Sequence, residues 1–231
     1  MSGWLAFWNR PHRIYVNDTH LRVHYRRVAD DLIAVVPDGA AAVLDYGCGL
    51  ALEAARVAER VERLYLYDAA EAVRARLAAL HGGSARIAIL DEAGLATLPE
   101  GSIDLIMVNS VVQYLSRDEL AALLVRARGL LRRDGRLVVA DVIPPDGNVA
   151  ADVASLLRTA RRGGFLLAAL GGLAATAVSD YGRMRRTLRL SHYAPDAFLA
   201  LAAEHGFGGV REDRNLGFNP RRMTFTLRPT A

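Results

Sequence analysis

The residues best suited to chemistry lie in one short stretch, Asp45-Tyr46-Gly47-Cys48-Gly49. An apolar run over residues 40–44 leads into the acid, two glycines follow at alternate positions, and a helix-forming segment rich in Ala and Leu comes next. That order describes a buried strand, a tight turn and a helix start, where parallel-sheet proteins bind nucleotide-like ligands. Gly47 can take positive φ or leave room beside a ligand, and Gly49 lets the backbone approach one closely. The helix N-terminus beyond presents unpaired N–H groups suited to a carboxylate or another anion. Asp45, at the carboxyl end of the strand, can accept from an ammonium group. Cys48 is the chain's one cysteine, and a small residue tolerated in a turn is a better reading of it than a nucleophile. A dinucleotide fingerprint, G-x-G-x-x-G, has a third glycine where this chain has Leu52.

The elements that must position this turn can be followed along the chain. Residues 22–36 carry apolar positions at helical spacing, and Pro37-Asp38-Gly39 ends that helix before the first strand. After the turn the pattern predicts a helix over 53–60 and a strand over 64–67 ending in Asp68. A helix over 70–80 and a strand over 86–90 ending in Asp91-Glu92 come next. A strand over 103–108 ends in Asn109-Ser110, a helix spans 117–131, and a strand spans 136–142. This alternation predicts an α/β fold, a mostly parallel sheet with helices on both faces. The end departs from it. A helix over 195–204 precedes strand candidates at 210–215 and 223–227, which suggest an antiparallel hairpin at one sheet edge.

The chain has 231 residues, 52% hydrophobic and 23% charged, which suits one folded domain. All 29 basic residues are arginine, and with abundant alanine this reflects genome composition. The net charge of +4 makes nucleic acid a weak expectation. With one cysteine there is neither a disulfide framework nor a Cys-rich metal site. Residues 1–9 lack the basic-then-apolar order of a signal peptide, so a cytoplasmic location is expected. The longest apolar run, residues 163–178, is glycine-broken and shorter than the roughly twenty residues of a bilayer span.

Taken together, residues 43–52 resemble motif I of the class I S-adenosylmethionine-dependent methyltransferases, with its D-x-G-x-G order. Leu98-Pro99-Glu100-Gly101-Ser102-Ile103-Asp104-Leu105-Ile106 resembles the family's "LP…SFDLI", and residues 130–139 resemble its "LLKPGGRLVI". The likeness spans residues 40–141 and resumes over 193–229. It implies a Rossmann-like, seven-stranded sheet with a terminal antiparallel hairpin and a helical cap insertion. It implies S-adenosyl-L-methionine as cofactor and S-adenosyl-L-homocysteine as product. Asp45, Gly47, Cys48 and Gly49 would meet the methionine end. Asp68 with Ala69 would meet the ribose hydroxyls, Asp91 and Glu92 the adenine, and Asn109 and Ser110 the crevice beside them. The resemblance divides 1–231 into an N-terminal lid (1–36), a cofactor-binding core (40–142), a cap insertion (148–189) and a last helix with hairpin (193–231). Asn109-Ser110-Val111-Val112-Gln113-Tyr114 lacks the prolines of amino-group DNA methyltransferases and resembles small-molecule enzymes.

Methyl transfer from a sulfonium needs in-line approach of a nucleophile, so the protein contributes positioning and exclusion of water. An oxygen nucleophile gains from a general base. The candidates are Tyr114, His24 and His192, with His20 one turn from His24. That pair has metal-ligand spacing but no third ligand nearby, so no metal is expected. The aromatic N-terminus, with Trp4, Phe7, Trp8 and Tyr15, is expected to act as a lid, or as an arm packed on the body or a second subunit. The apolar insertion points to a hydrophobic or amphipathic acceptor such as a lipid, quinone or polyketide. A core helix, a dimer contact or a peripheral membrane element are the other readings of it. The rival functions are a non-catalytic member of the fold, an NAD-dependent enzyme and an RNA methyltransferase.

Overall fold

The computed structural model describes residues 3–10, 15–147, 149–176 and 190–230. Residues 11–14 of the expected lid and the basic stretch 179–186 of the insertion lie outside them. Five parallel strands, β1 (Ala42–Tyr46), β2 (Arg63–Tyr67), β3 (Ile87–Leu90), β4 (Ile103–Asn109) and β5 (Leu131–Val142), are completed by β6 (Phe207–Arg211) and β7 (Met223–Pro229). The order across the sheet is β3-β2-β1-β4-β5-β7-β6, with β7 antiparallel to both β5 and β6. This is a Rossmann-like sheet closed by a reversed hairpin, as the residue pattern predicts. From β1 the chain goes first to β2 on one side and later to β4 on the other. Connections therefore diverge above the carboxyl ends of β1 and β4, which leaves a crevice there.

Alternation along each strand feeds two cores. Ala42, Leu44, Ile106, Val108, Leu137 and Val139 point to one face, against α6 (Arg117–Leu130) and α9 (Pro195–Glu204). Val43, Leu105, Met107, Val138 and Ala140 point to the other, with α2 (Asp18–Val35), α3 (Ala54–Ala58) and α4 (Glu71–His81). A strand buried on both faces is apolar throughout, which is why β1 and β4 read as continuous hydrophobic runs.

Several boundaries differ from the sequence reading for local reasons. Helix α2 starts at Asp18 rather than Arg22, because the Asn17 side chain caps it and accepts from His20 N at 2.9 Å. A short helix unseen in the sequence, α5 (Glu92–Ala96), follows β3, capped by Asp91 accepting from Gly94 N at 2.8 Å. Strand β5 begins at Leu131, which pairs with Ile103 before an irregularity resets the register at Leu105 and Arg136. Strand β6 covers 207–211 instead of 210–215. Pairing begins at the buried Phe207, opposite Pro229, and runs through Gly208 and Gly209, where a Cβ on Gly209 would collide with Thr226 and Leu227 of β7.

Between β5 and α9 lie α7 (Val149–Gly163) and α8 (Leu166–Thr176), a helical pair packed on α2 through Ala160, Phe165, Ala169, Val16 and Val23. The first helix, α1 (Gly3–Trp8), lies apart from this pair; Asn9, just beyond it, accepts from Ala72 N of α4 at 3.2 Å. Among the described residues, no helix is long and apolar enough to cross a membrane.

Candidate active site

A cavity of about 850 Å³ opens at the carboxyl ends of β1, β2 and β4. Its floor is the glycine turn. Gly47 and Gly49 take φ +77° and +57°, the left-handed region that only glycine enters without strain. Gly47 N and Cys48 N both donate to Tyr67 O, at 2.7 and 3.1 Å, so the turn is sewn to β2. A Cβ on Gly47 would collide with Val111 Cγ2. At Gly49 the space for a side chain is already taken, because Tyr25 Oη lies 2.6 Å from where the Cβ would be. The close approach expected there of a ligand is thus, in the protein itself, made by a tyrosine of α2. The same hydroxyl accepts from Leu50 N at 2.8 Å, and burial pushes its pKa up to about 12.

Two carboxylates meet this turn. Asp68, at the end of β2, accepts from Gly49 N (3.1 Å) and Ala70 N (2.9 Å), and Arg74 donates to the carbonyls of Asp68 and Ala69 at 2.9 Å. Burial raises Asp68 above the usual carboxylate range, while its two backbone donors and Arg74 pull it back. Asp45 is buried more completely. Desolvation, with the Asp68 charge added, pushes its carboxyl up to about 7. Cys48 is buried and its thiol raised by the same causes, which leaves a protonated thiol and no nucleophile.

On the third side, Tyr67 Oη donates to Glu92 at 2.8 Å, and Arg126 pairs with Glu92 at 2.5 Å. The Arg126 guanidinium holds Glu92 below its ordinary value, and Tyr46 packs against Tyr67 at 4.7 Å. Glu92 lines the cavity. Asp91 does not, and its Oδ1 is engaged in capping α5.

The fourth side holds the ends of β4 and α2. Asn109 lines the cavity with its Oδ1 buried and without a partner. Ser110, at φ +58°, donates through Oγ to Asp141 Oδ2 at 2.7 Å. Asp141 also binds Arg222 at 2.7 Å, and Arg222 reaches Asp152 of α7 at 3.0 Å, so the helical pair is tied to this corner. Tyr114 follows in a single turn of 3₁₀ helix and meets Trp8 edge-on at 6.0 Å. His24 also lines the cavity, between Tyr15 (5.2 Å), Tyr25 (5.0 Å) and Phe218 (5.8 Å). Burial lowers it to about 4, so it is a neutral imidazole and a weak base at pH 7.

The other candidate histidines lie elsewhere. His192 is exposed and does not line the cavity. Its neighbours Ser191 and Tyr193 are the residues held inward, their N–H groups donating to Gln113 O (2.9 Å) and Ile143 O (3.0 Å), and alternation in an extended segment turns His192 outward. His20, one turn before His24, has different surroundings. The His20 ring stacks on Phe165 at 4.9 Å and its Nδ1 accepts from Val16 N. Among the described residues no three His, Cys, Asp or Glu side chains are grouped as metal ligands.

Residues 44–139 match the family model described as a methyltransferase domain. That match and the sheet order support a class I S-adenosylmethionine-dependent methyltransferase domain over those residues. No curated protein matches the sequence. Among solved structures, the chain is similar in fold to a mitomycin 7-O-methyltransferase (18% identity, TM-score 0.62, covering 92% of this chain and 56% of that one). It is similar to N,N-8-amino-8-demethyl-D-riboflavin dimethyltransferase from Streptomyces davawensis (19%, 0.61, 92% and 57%). It is also similar to 1,6-didemethyltoxoflavin-N1-methyltransferase from Burkholderia thailandensis, which holds its acceptor and S-adenosylhomocysteine (19%, 0.57, 90% and 79%). The chain spans little more than half the length of the first two.

Sequence reasoning found the turn, the strand-end acids and Asn109. It gave no role to Tyr25, Tyr67 or Arg126. The one available signal was the aromatic density of residues 4–25.

Proposed function

We propose that this methyltransferase moves the methyl group of S-adenosylmethionine to a small hydrophobic or amphipathic acceptor entering the aromatic side of the cavity. The observation that carries the reading is one cavity joining a methyltransferase glycine turn to a wall of Trp8, Tyr15, His24 and Tyr114. The bound donor supplies a sulfonium, whose methyl carbon is electrophilic and whose thioether is a good leaving group. The protein's own residues then bind and orient. Asp68 keeps free lone pairs beyond its two backbone bonds, enough to accept from ribose hydroxyls. Asn109 Oδ1 lacks a partner, and Asp45, buried beside the turn, would gain one by ionising next to an ammonium group. Ala69 and Glu92 line the space beyond, where an adenine is expected, with Asp91 behind Glu92. Trp8 and Tyr114 exclude water from the acceptor. His24 is too weak a base to strip an alcohol, so an acceptor that ionises by itself, or an amine or carbon nucleophile, fits best. The similar enzymes are each named for a small-molecule acceptor, which supports this class.

Thermal unfolding tests the donor half. S-adenosylhomocysteine should raise the melting temperature and NAD should not. The reverse outcome would discard the methyltransferase reading. Asp68→Ala should weaken S-adenosylhomocysteine by about 1–3 kcal/mol in calorimetry, and unchanged affinity would remove Asp68 from the site. Release of S-adenosylhomocysteine with a panel of small acceptors and with RNA distinguishes the acceptor classes. A protein that binds donor and turns over none of them is a non-catalytic member of the fold.

A further inference from the structure

The tip of the α7–α8 pair carries a surface that methyl transfer leaves unused. Phe165 and Ala169 are buried against Ala160 and α2. On the remaining faces of the same helix, Leu166, Leu167 and Leu170 are 37%, 86% and 49% exposed. Leu166 and Leu170 follow Phe165 and Ala169 by one residue and Leu167 follows Phe165 by two, offsets that rotate these leucines off the buried face of the helix. Helix α8 has no charged residue. The last turns of α7 supply the charge, with Arg158, Arg161 and Arg162 all exposed and in no ion pair with a described residue. Residues 158–171 contain no acid.

We propose that this tip docks on an anionic lipid surface, with the three leucines entering the acyl boundary and the three arginines meeting lipid phosphates. Apolar side chains bordered by cations are the signature of an element lying in a membrane interface, and at 11 residues α8 is too short to span one. A two-fold contact with a second copy would bury the same arginines from both chains with no acid at the tip to receive them. The docking stands apart from methyl transfer. Only its use, drawing an amphipathic acceptor from the lipid towards His24 one helical turn from His20 and Phe165, rests on that reading.

Cosedimentation of the full chain with phosphatidylcholine vesicles containing about one third phosphatidylglycerol tests the proposal. The bound fraction should exceed that with pure phosphatidylcholine by about fivefold or more, and fall as salt rises. It should drop about tenfold in Leu167→Asp/Leu170→Asp and in Arg161→Glu/Arg162→Glu. All four positions are exposed, so the variants should unfold at the wild-type temperature and keep the rise given by S-adenosylhomocysteine. No sedimentation with anionic vesicles, or equal sedimentation of wild type and the leucine variant, overturns the docking. So does a scattering mass twice the 25.1 kDa of the chain that the leucine variant returns to one, since the face would then belong to a second copy. Vesicle binding without any response to S-adenosylhomocysteine would instead refute the methyl-transfer reading alone.

Discussion

The glycine turn and the aromatic side line one cavity but are held by different means. At Gly47–Leu50 the backbone is fixed by bonds from its own N–H groups to Tyr67 O, Asp68 and Tyr25, with no room for a side chain at either glycine. On the other side the wall is made of the rings of Trp8, Tyr15, His24 and Tyr114, with Phe218 stacked on His24 and ring centroids 5–6 Å apart. A backbone-built site tolerates almost no substitution, because each change moves the sheet ends. A ring-built site can be re-lined without disturbing the strands. The donor end is therefore fixed by the fold, and acceptor choice is free to vary on it.

The sharpest break of this contrast is Gly47→Ala. The new Cβ meets Val111 Cγ2, and alanine must also hold φ +77°. Left-handed backbone costs about 1–2 kcal/mol and overpacking about 1–3, so a loss of about 3 kcal/mol in urea unfolding is expected, with no response to S-adenosylhomocysteine. Gly39→Ala is the control. It shares the positive φ, at +72°, but its Cβ meets nothing within 4 Å, so only the backbone cost of about 1 kcal/mol applies. Equal losses in the two variants would show that Val111 does not police the turn.

That contrast also explains what the amino-acid sequence could tell. Asp45, Gly47, Gly49 and Asp68 were legible because their roles follow from chain order, a strand end followed at once by a turn. The hydrogen bond from Gly49 N to Asp68 spans 19 residues within one βαβ unit. Tyr25 was not legible, since it reaches Leu50 only when α2 docks across the sheet, and no local pattern encodes that docking. His192 and His24 looked alike as sequence candidates. Backbone bonds on either side of His192 turn it to solvent, whereas helix α2 carries His24 into the rings. Helix α5 was missed because its single turn is specified by the Asp91 cap rather than by periodicity.

His24→Phe probes the ring-built side. Burial lowers the imidazole from 6.5 to about 4, so the fold keeps it neutral. Its contribution is present in full above about pH 6.5 and is lost as pH falls towards 4, because the unfolded chain takes up the proton first. Phenylalanine can keep the stacking on Phe218 and removes the titration. The variant should gain about 2 kcal/mol on the wild type at pH 5, relative to their difference at pH 7, in parallel urea titrations. A difference that does not change with pH would mean that His24 is solvated and free to act as a base.

Asp45 gives the smaller effect, and it tests the backbone-built side by charge. Its carboxyl is raised to about 7, first by burial and then by Asp68. In the ligand-free protein the carboxyl is therefore protonated below about pH 7. That contribution is fully present below about pH 4 and is lost as pH rises through 7. An ammonium group placed beside Asp45 reverses the preference, since the ionised carboxylate then has a partner. Affinity for S-adenosylhomocysteine should accordingly rise about tenfold between pH 6 and pH 8, or about 1.4 kcal/mol by calorimetry. Asp45→Asn should bind with an affinity nearly flat over the same range. If wild type and variant share one pH profile, the ammonium group lies elsewhere, and the partnerless Oδ1 of Asn109 becomes its receiving atom.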